Sequence, residues 1–315
     1  MDFIRHDGRI LIAAQVVAVP MHNPLAIFRG YFSFKVLAIQ FFSKLLVKIM
    51  IVCVCKGSIS RHRDIIIAME RISIELTNKC AKHCDFCYNG SNPSGNSLWQ
   101  ENELLEFIED CIRCGVKAVS FGGGEPLQYP PLYRVLLASK GRIFRSITTN
   151  GLLLEKNFGQ LVVAAPNKVH VSIHYPNNLD EVNRVVKQVC DLEKAGIKSG
   201  INLLVRKSGL QDAELAVRLI KGSGISNNRI VYLPMRMLDT PSPEEVAQVA
   251  GEAFLSMTCL SDCTVSERFC SIAADKSVAW CSYTSERKQL AEPTYAEMMQ
   301  ALNSLDLVYC SGNAI

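Results

Sequence analysis

Three cysteines, Cys80, Cys84 and Cys87, stand in the spacing C-x3-C-x2-C. A short loop with that spacing can wrap three thiolates around one iron–sulfur cubane and leave its fourth iron without a protein ligand, open to a small molecule. Three clustered thiolates also suit zinc, with His83 or a distant cysteine as fourth ligand. A second signal is the run Phe121, Gly122, Gly123, Gly124, Glu125, Pro126: glycines let backbone groups approach a ligand closely, and Glu125 offers an anionic acceptor for an ammonium group. Thr148, Thr149, Asn150 and Gly151 supply polar groups for hydroxyls or a carboxylate, or else a helix cap. Further on stand Ser172, His174 and Tyr175, then Asn202 and Arg206, then Pro234, Met235 and Arg236. His174 reads as a proton donor or as a satisfied structural histidine. Arg236 could anchor a carboxylate.

The elements that must position these residues follow from periodicity. Ile72, Ile74 and Leu76 alternate with polar neighbours and run straight into the cysteine loop, which predicts a strand over 71–76. Leu104, Leu105, Ile108 and Ile112 repeat at helical spacing until Gly115. The alternation then continues with strands at 116–121, 143–148, 169–174, 201–205 and 229–233 and helices at 131–138, 154–164, 179–195, 211–220 and 243–255. Six strand-then-helix units in succession make an α/β parallel sheet with helices outside, an incomplete (β/α)6 TIM barrel. Chemistry in such barrels collects at the carboxyl ends of the strands. Each of the motifs above falls there.

Composition sets the frame around this core. The 315 residues are 49% hydrophobic, enough for one large α/β domain with small additions, and no internal repeat is evident. Thirteen cysteines at clustered, irregular spacing favour metal over disulfides. Residues 1–68 hold nine Lys or Arg against three Asp or Glu, while nothing after residue 68 reads as a nucleic-acid groove. The apolar stretches in 1–68 are broken by Pro20, Pro24, Arg29, Lys35, Lys44 and Lys48, which suits a membrane-surface segment better than a span. Met69 stands just before the first strand, so a second reading holds 1–68 not to be native. Cys53 and Cys55 receive no role.

The cysteine triplet with Phe86 just before its last member, followed one βα unit later by Gly122–Glu125, resembles the radical S-adenosylmethionine (SAM) superfamily. The resemblance implies a 4Fe-4S cluster on Cys80, Cys84 and Cys87 and an enzyme in which SAM, chelated by the free iron, is reductively cleaved. A 5′-deoxyadenosyl radical then abstracts hydrogen from a substrate. It implies that Phe86, Gly122, Gly123, Gly124, Glu125, Thr149, Asn150, Ser172, Asn202 and Arg236 bind the cofactor, with His174 as the catalytic candidate. An electron donor such as a small redox protein and a cytoplasmic, oxygen-sensitive setting come with it.

Beyond the barrel lie Cys259, Cys263, Cys270, Cys281 and Cys310, with a short hairpin over 269–283 turning at Asp275 and Lys276. This region resembles the SPASM or twitch appendages that carry an auxiliary cluster, which implies Cys263, or Cys259 in its place, with Cys270 and Cys281 as further metal ligands, and a peptide substrate; a small molecule or nucleotide is the alternative. Only Cys310 follows the hairpin, so at most one auxiliary cluster is expected, and four buried structural thiols are the plain alternative. Another is a non-catalytic metal-binding protein of the same fold. The expected domains are an extension over 1–68, a core over 69–256 and a Cys-rich appendage over 257–315. Cys111, Cys114 and Cys190 fall on helices or helix ends as packing residues.

Overall fold

The computed structural model describes residues 69–236, 239–256 and 265–307. Strand β1 (Arg71–Glu75) buries Ile72 and Ile74. Helix α1 (Glu101–Arg113) starts at a capping box between Gln100 and Glu103 and buries Leu104, Phe107, Ile108 and Cys111 along one stripe. Five further units follow: β2 (Ala118–Gly122) with α2 (Leu132–Ala138), β3 (Phe144–Thr149) with α3 (Leu154–Ala164), β4 (Lys168–Ile173) with α4 (Leu179–Lys194), β5 (Ser199–Val205) with α5 (Leu210–Gly222), and β6 (Ile230–Pro234) with α6 (Pro243–Ala250). Each strand pairs in parallel with the next. This is the six-unit parallel arrangement that the periodicity implies.

The helix expected over 243–255 stops at Ala250, because Gly251 takes a left-handed φ of 70° that closes the helix. The freed chain then adds β7 (Leu255–Ser256) in parallel to β6. The hairpin is present as β8 (Phe269–Ile272) and β9 (Ser277–Ala279), with Lys276 at φ 69° in the turn. Strand β8 also pairs in parallel with β1, and β10 (Lys288–Gln289) pairs antiparallel with β9. One sheet results, in the order β10-β9-β8-β1-β2-β3-β4-β5-β6-β7. Helix α7 (Tyr295–Leu302), which the sequence reading lacks, is capped by Thr294 and buries Met298, Ala301 and Leu302.

The two faces of the sheet differ in kind. Outward side chains such as Val119, Phe121, Ile147, Val169, Val171, Ile201 and Leu203 are fully buried under the helices. Arg145 also points outward, and its guanidinium is satisfied by the carbonyl oxygens of Leu136, Ala164 and Ala165 at the ends of α2 and α3. The inward positions are small and polar: Ser73, Ser120 and Ser146 share one level, with Thr148 and His170 paired above. Ser120 and Thr148 are exposed although they lie on central strands, so the barrel interior is open to solvent. Among the described residues, no helix is long and apolar enough to cross a membrane.

Candidate functional site

The loop after β1 is pinned by backbone bonds before any ligand is considered. Asn78 N donates to Asn96 O, Asn92 N to Asn78 O and Cys80 N to Asn92 O, at 2.9–3.1 Å. The glycine loop after β2 presses on it: Gly124 N donates to Thr77 O (2.6 Å) and Glu125 N to Lys79 O (2.9 Å). A side chain at Gly124 would fall on Lys79 O, and Gly123 takes φ 111° with Thr77 O 2.5 Å from where a Cβ would be. These glycines therefore serve first to seat the cysteine loop.

Glu125 lies where the sequence places it, but its carboxylate turns into the protein. Its Oε1 accepts from Leu127 N (3.0 Å) and Thr149 Oγ1 (2.7 Å), and its Oε2 from Asn150 N (2.8 Å). Burial raises its pKa, against those three hydrogen bonds and the Lys82 cation. Asn150 in turn donates from Nδ2 to Cys80 Sγ at 3.6 Å. Thr149 and Asn150 thus act through the scaffold, linking the ends of β2 and β3 to the first cysteine.

Cys84 shares a hydrogen bond with the Tyr175 hydroxyl; burial pushes its thiol up, and Cys80 and Cys87 lie close enough to add to the shift. The Cys87 thiol donates to Asn89 Oδ1 (3.0 Å). Two of the three sulfurs are thus held by groups from the β3 and β4 loops. Among the described residues, no three His, Cys, Asp or Glu side chains converge on a single ion. Three thiols on one loop suit a cubane, which offers a separate iron corner to each sulfur.

A buried ion pair fastens this loop to the far side of the barrel. Lys82 Nζ lies 2.6 Å from Glu181 Oε2 on α4, with both side chains under a tenth exposed. Glu181 Oε1 accepts from the backbone N of His174 (2.6 Å) and Tyr175 (3.4 Å). Lys82 also sits 5.3 Å from the Tyr175 ring centroid. Neither Lys82 nor Glu181 was singled out from the sequence, since a lysine between cysteines and an acid in a first helical turn look like ordinary surface charges. The signal was that Lys82 falls inside the cysteine triplet.

The remaining candidates gather around Phe86. Its ring lies under the Arg206 guanidinium (4.1 Å), edge-on to Tyr175 (5.5 Å) and 6.2 Å from His174. Arg206 Nη2 and His174 Nδ1 are buried and have no hydrogen-bond partner among the described residues. Burial, then the Lys82 cation, lowers the His174 pKa to about 4, with Glu181 opposing. Ser172 and Asn202 are buried at one level on the inner faces of β4 and β5. Arg236 is buried with its guanidinium 5.4 Å from the Tyr283 ring, which packs on Tyr88 at 4.8 Å. The Tyr88 hydroxyl donates to Glu75 Oε1 (2.8 Å), a buried carboxylate on β1 that pattern reading passed over as the polar half of an alternation.

Of the expected auxiliary ligands, Cys270 and Cys281 lie among the described residues. Parallel pairing of β8 with β1 puts Cys270 level with Ile72, away from the carboxyl ends of the strands. There its sulfur packs 3.7 Å from Met298 Sδ, and burial pushes the thiol up to about 12. Cys281 is half-buried and accepts from Tyr283 N. Cys263, with Cys53, Cys55, Cys259 and Cys310, lies outside the described residues.

Comparison with known proteins adds an independent line. The family model described as the Radical SAM superfamily matches residues 74–250. A probable GTP 3′,8-cyclase of Methanocaldococcus jannaschii is 27% identical over 179 residues, covering 52% of this chain and 59% of the relative. One of Methanosarcina mazei is 31% identical over 166 residues, covering 50% and 48%. The chain thus spans about half the length of these curated relatives. Among solved structures, Streptococcus suis SuiB bound to its precursor peptide SuiA is similar in fold, with TM-score 0.62 at 14% identity, covering 85% of this chain and 78% of SuiB.

Proposed function

Because the chain belongs to the radical SAM superfamily, we propose that it is an enzyme holding a 4Fe-4S cluster on Cys80, Cys84 and Cys87, cleaving SAM there and directing the resulting radical at a substrate in the open barrel. The observation that carries this reading is the placing of all three cysteines on one tied-down loop at the carboxyl end of β1, above an interior whose exposed positions are polar. When bound, the cluster supplies the electron that breaks the sulfonium carbon–sulfur bond. The protein's own part is positional. Lys82 and Glu181 fix the loop, Asn150 and Tyr175 hydrogen-bond to two of the sulfurs, and Glu125 holds Thr149 and Asn150 in register. The backbone edge of Gly122 and Gly123, with Phe86, Ser172 and Arg236, forms the wall offered to the cofactor. His174, held uncharged at neutral pH by burial, lies 6.2 Å from the Phe86 ring and is the candidate for proton transfer to or from the substrate.

Anaerobically reconstituted protein given SAM and dithionite should form 5′-deoxyadenosine. Cys84→Ala should reduce that to background while the far-ultraviolet circular dichroism stays unchanged. Formation retained in the variant would remove the ligand assignment.

The finer reading is a peptide substrate, with a small redox protein as electron donor. Likeness to SuiB, solved with its precursor peptide, supports the peptide. A nucleotide is the second reading, favoured by the relatives named probable GTP 3′,8-cyclases. On either, residues 69–256 are the core, and 257–315 are an appendage whose hairpin is built into the core's sheet.

A further inference from the structure

Two cysteines of the triplet have a buried glutamate standing behind them. Cys80 is met by Asn150, whose backbone N is held by Glu125. Cys84 shares a hydrogen bond with Tyr175, whose loop is tied to Glu181 together with Lys82. The surroundings of Cys87 lead to a third buried carboxylate, Glu75, which is 5% exposed at the end of β1.

Glu75 lies two residues beyond Ser73 and so on the inner face of β1, level with Gly122. The glycine loop leaves room for it: a Cβ on Gly123 would stand 3.1 Å from the Glu75 Cβ. Cys87 to Gly90 close a turn, with Gly90 N donating to Cys87 O at 3.1 Å. Both central residues of that turn reach Glu75. The Tyr88 hydroxyl donates to its Oε1 at 2.8 Å, and Asn89 Nδ2 donates to its Oε2 at 3.3 Å. From the other side the Tyr283 ring packs on Tyr88, with centroids 4.8 Å apart, and the Arg236 guanidinium lies 5.4 Å from Tyr283.

Burial raises the Glu75 pKa, and the bonds from Tyr88 and Asn89 and the nearby Arg287 oppose it. An apolar side chain would fill the place without that desolvation, so the carboxylate answers a need of the turn rather than of the strand. Loading with iron takes the Cys87 thiol proton, and with it the bond to Asn89 Oδ1. The ties of Tyr88 and Asn89 to Glu75 involve neither that proton nor that sulfur.

We propose that Glu75 is a positioning residue for the third thiolate, Cys87: it holds the turn 87–90 against the inner face of β1 through Tyr88 and Asn89, and Tyr283 caps Tyr88 from the hairpin region. This rests on the cluster reading above and gives each of its three ligands a carboxylate-backed support.

The first test uses the reduced full chain without iron, pulsed with iodoacetamide and read by peptide mass spectrometry. Cys84 on the same molecule is the internal reference. Glu75→Ala should raise the alkylation of Cys87 relative to Cys84 about fivefold, and Glu75→Gln, which keeps an acceptor for the Tyr88 hydroxyl, should restore most of the parent ratio. If Glu75→Ala does not fold, Tyr88→Phe removes one of the two ties while keeping the ring on Tyr283, and should raise the ratio about twofold. An unchanged ratio overturns the proposal. In the reconstituted chain, the electron paramagnetic resonance g values of the dithionite-reduced cluster should move in Glu75→Ala and return in Glu75→Gln. A purely structural Glu75 would lower the yield of cluster and leave the g values at the parent's, and that result also overturns the proposal. Failure of the enzyme reading shows separately, as absence of 5′-deoxyadenosine when the parent chain is given SAM and dithionite.

Discussion

At the mouth of the barrel on the β1–β3 side, Glu125 takes three hydrogen bonds, Thr149 both gives and receives one, and Asn150 bonds a sulfur, the Glu125 carboxylate and Leu152 N. On the β4–β6 side, His174 Nδ1 and Arg206 Nη2 are buried with no partner among the described residues, while the His170 and Asn202 side chains interact with each other. Each such orphan costs about 1–3 kcal/mol. Both of these residues, His174 and Arg206, flank the Phe86 ring. The first side is a closed hydrogen-bonded cradle, whereas the second keeps polar atoms without a partner. This matches the general finding that local rules are broken where function resides.

The largest expected effect falls on the tie between the sides. Lys82→Met leaves Glu181 charged, buried and short of its cation, which should cost about 3–5 kcal/mol in urea unfolding. A loss under about 1 kcal/mol would mean that the sides are not coupled through this pair.

Acidity should then separate the two sides by sign. His170 and His174 have pKa values lowered to about 4, so their contribution is complete above the ordinary histidine value of 6.5 and is lost as pH falls toward 4. The loss is on the order of 3 kcal/mol per histidine. Glu125 has a raised pKa, so its contribution is present below the ordinary carboxylate range and is lost as pH rises through the raised value. Unfolding free energy measured from pH 7 to pH 4 should fall less in His174→Gln than in the parent chain. Equal slopes would show that the second side does not hold His174 neutral.

Much of this organisation is legible in the sequence, for reasons that also mark where it stops. Alternation in Ile72, Ile74 and Leu76 and helical spacing in Leu104, Ile108 and Ile112 report burial on one face, and six such units dictate a parallel sheet. The cysteine spacing and its place after β1 are read directly. What a pattern does not carry is the direction in which a polar side chain turns. Glu125 has the right neighbours to face a ligand, and only the three donors around it reveal that it faces inward. Cys270 was read with its fellow cysteines, whereas the parallel pairing of β8 with β1 decides that it meets Met298. Non-local pairing of that kind leaves no periodic trace, and neither does the joining of Lys82 to Glu181 across 99 positions of chain.

Two truncations of smaller effect sharpen the contrast. Glu125→Ala removes the acceptor of three buried or half-buried donors and should cost about 2 kcal/mol, with weakened iron retention as the accompanying sign because Asn150 then loses its anchor. Arg206→Leu should cost the fold less than about 1 kcal/mol. Its stacking on Phe86 contributes about 0.5–2 kcal/mol, but its unsatisfied Nη2 takes away about 1–3 kcal/mol, and leucine removes both together. Urea midpoints of the two variants provide the check: if Arg206→Leu destabilises as much as Glu125→Ala, the β4–β6 side is scaffold like the other and the distinction between them fails.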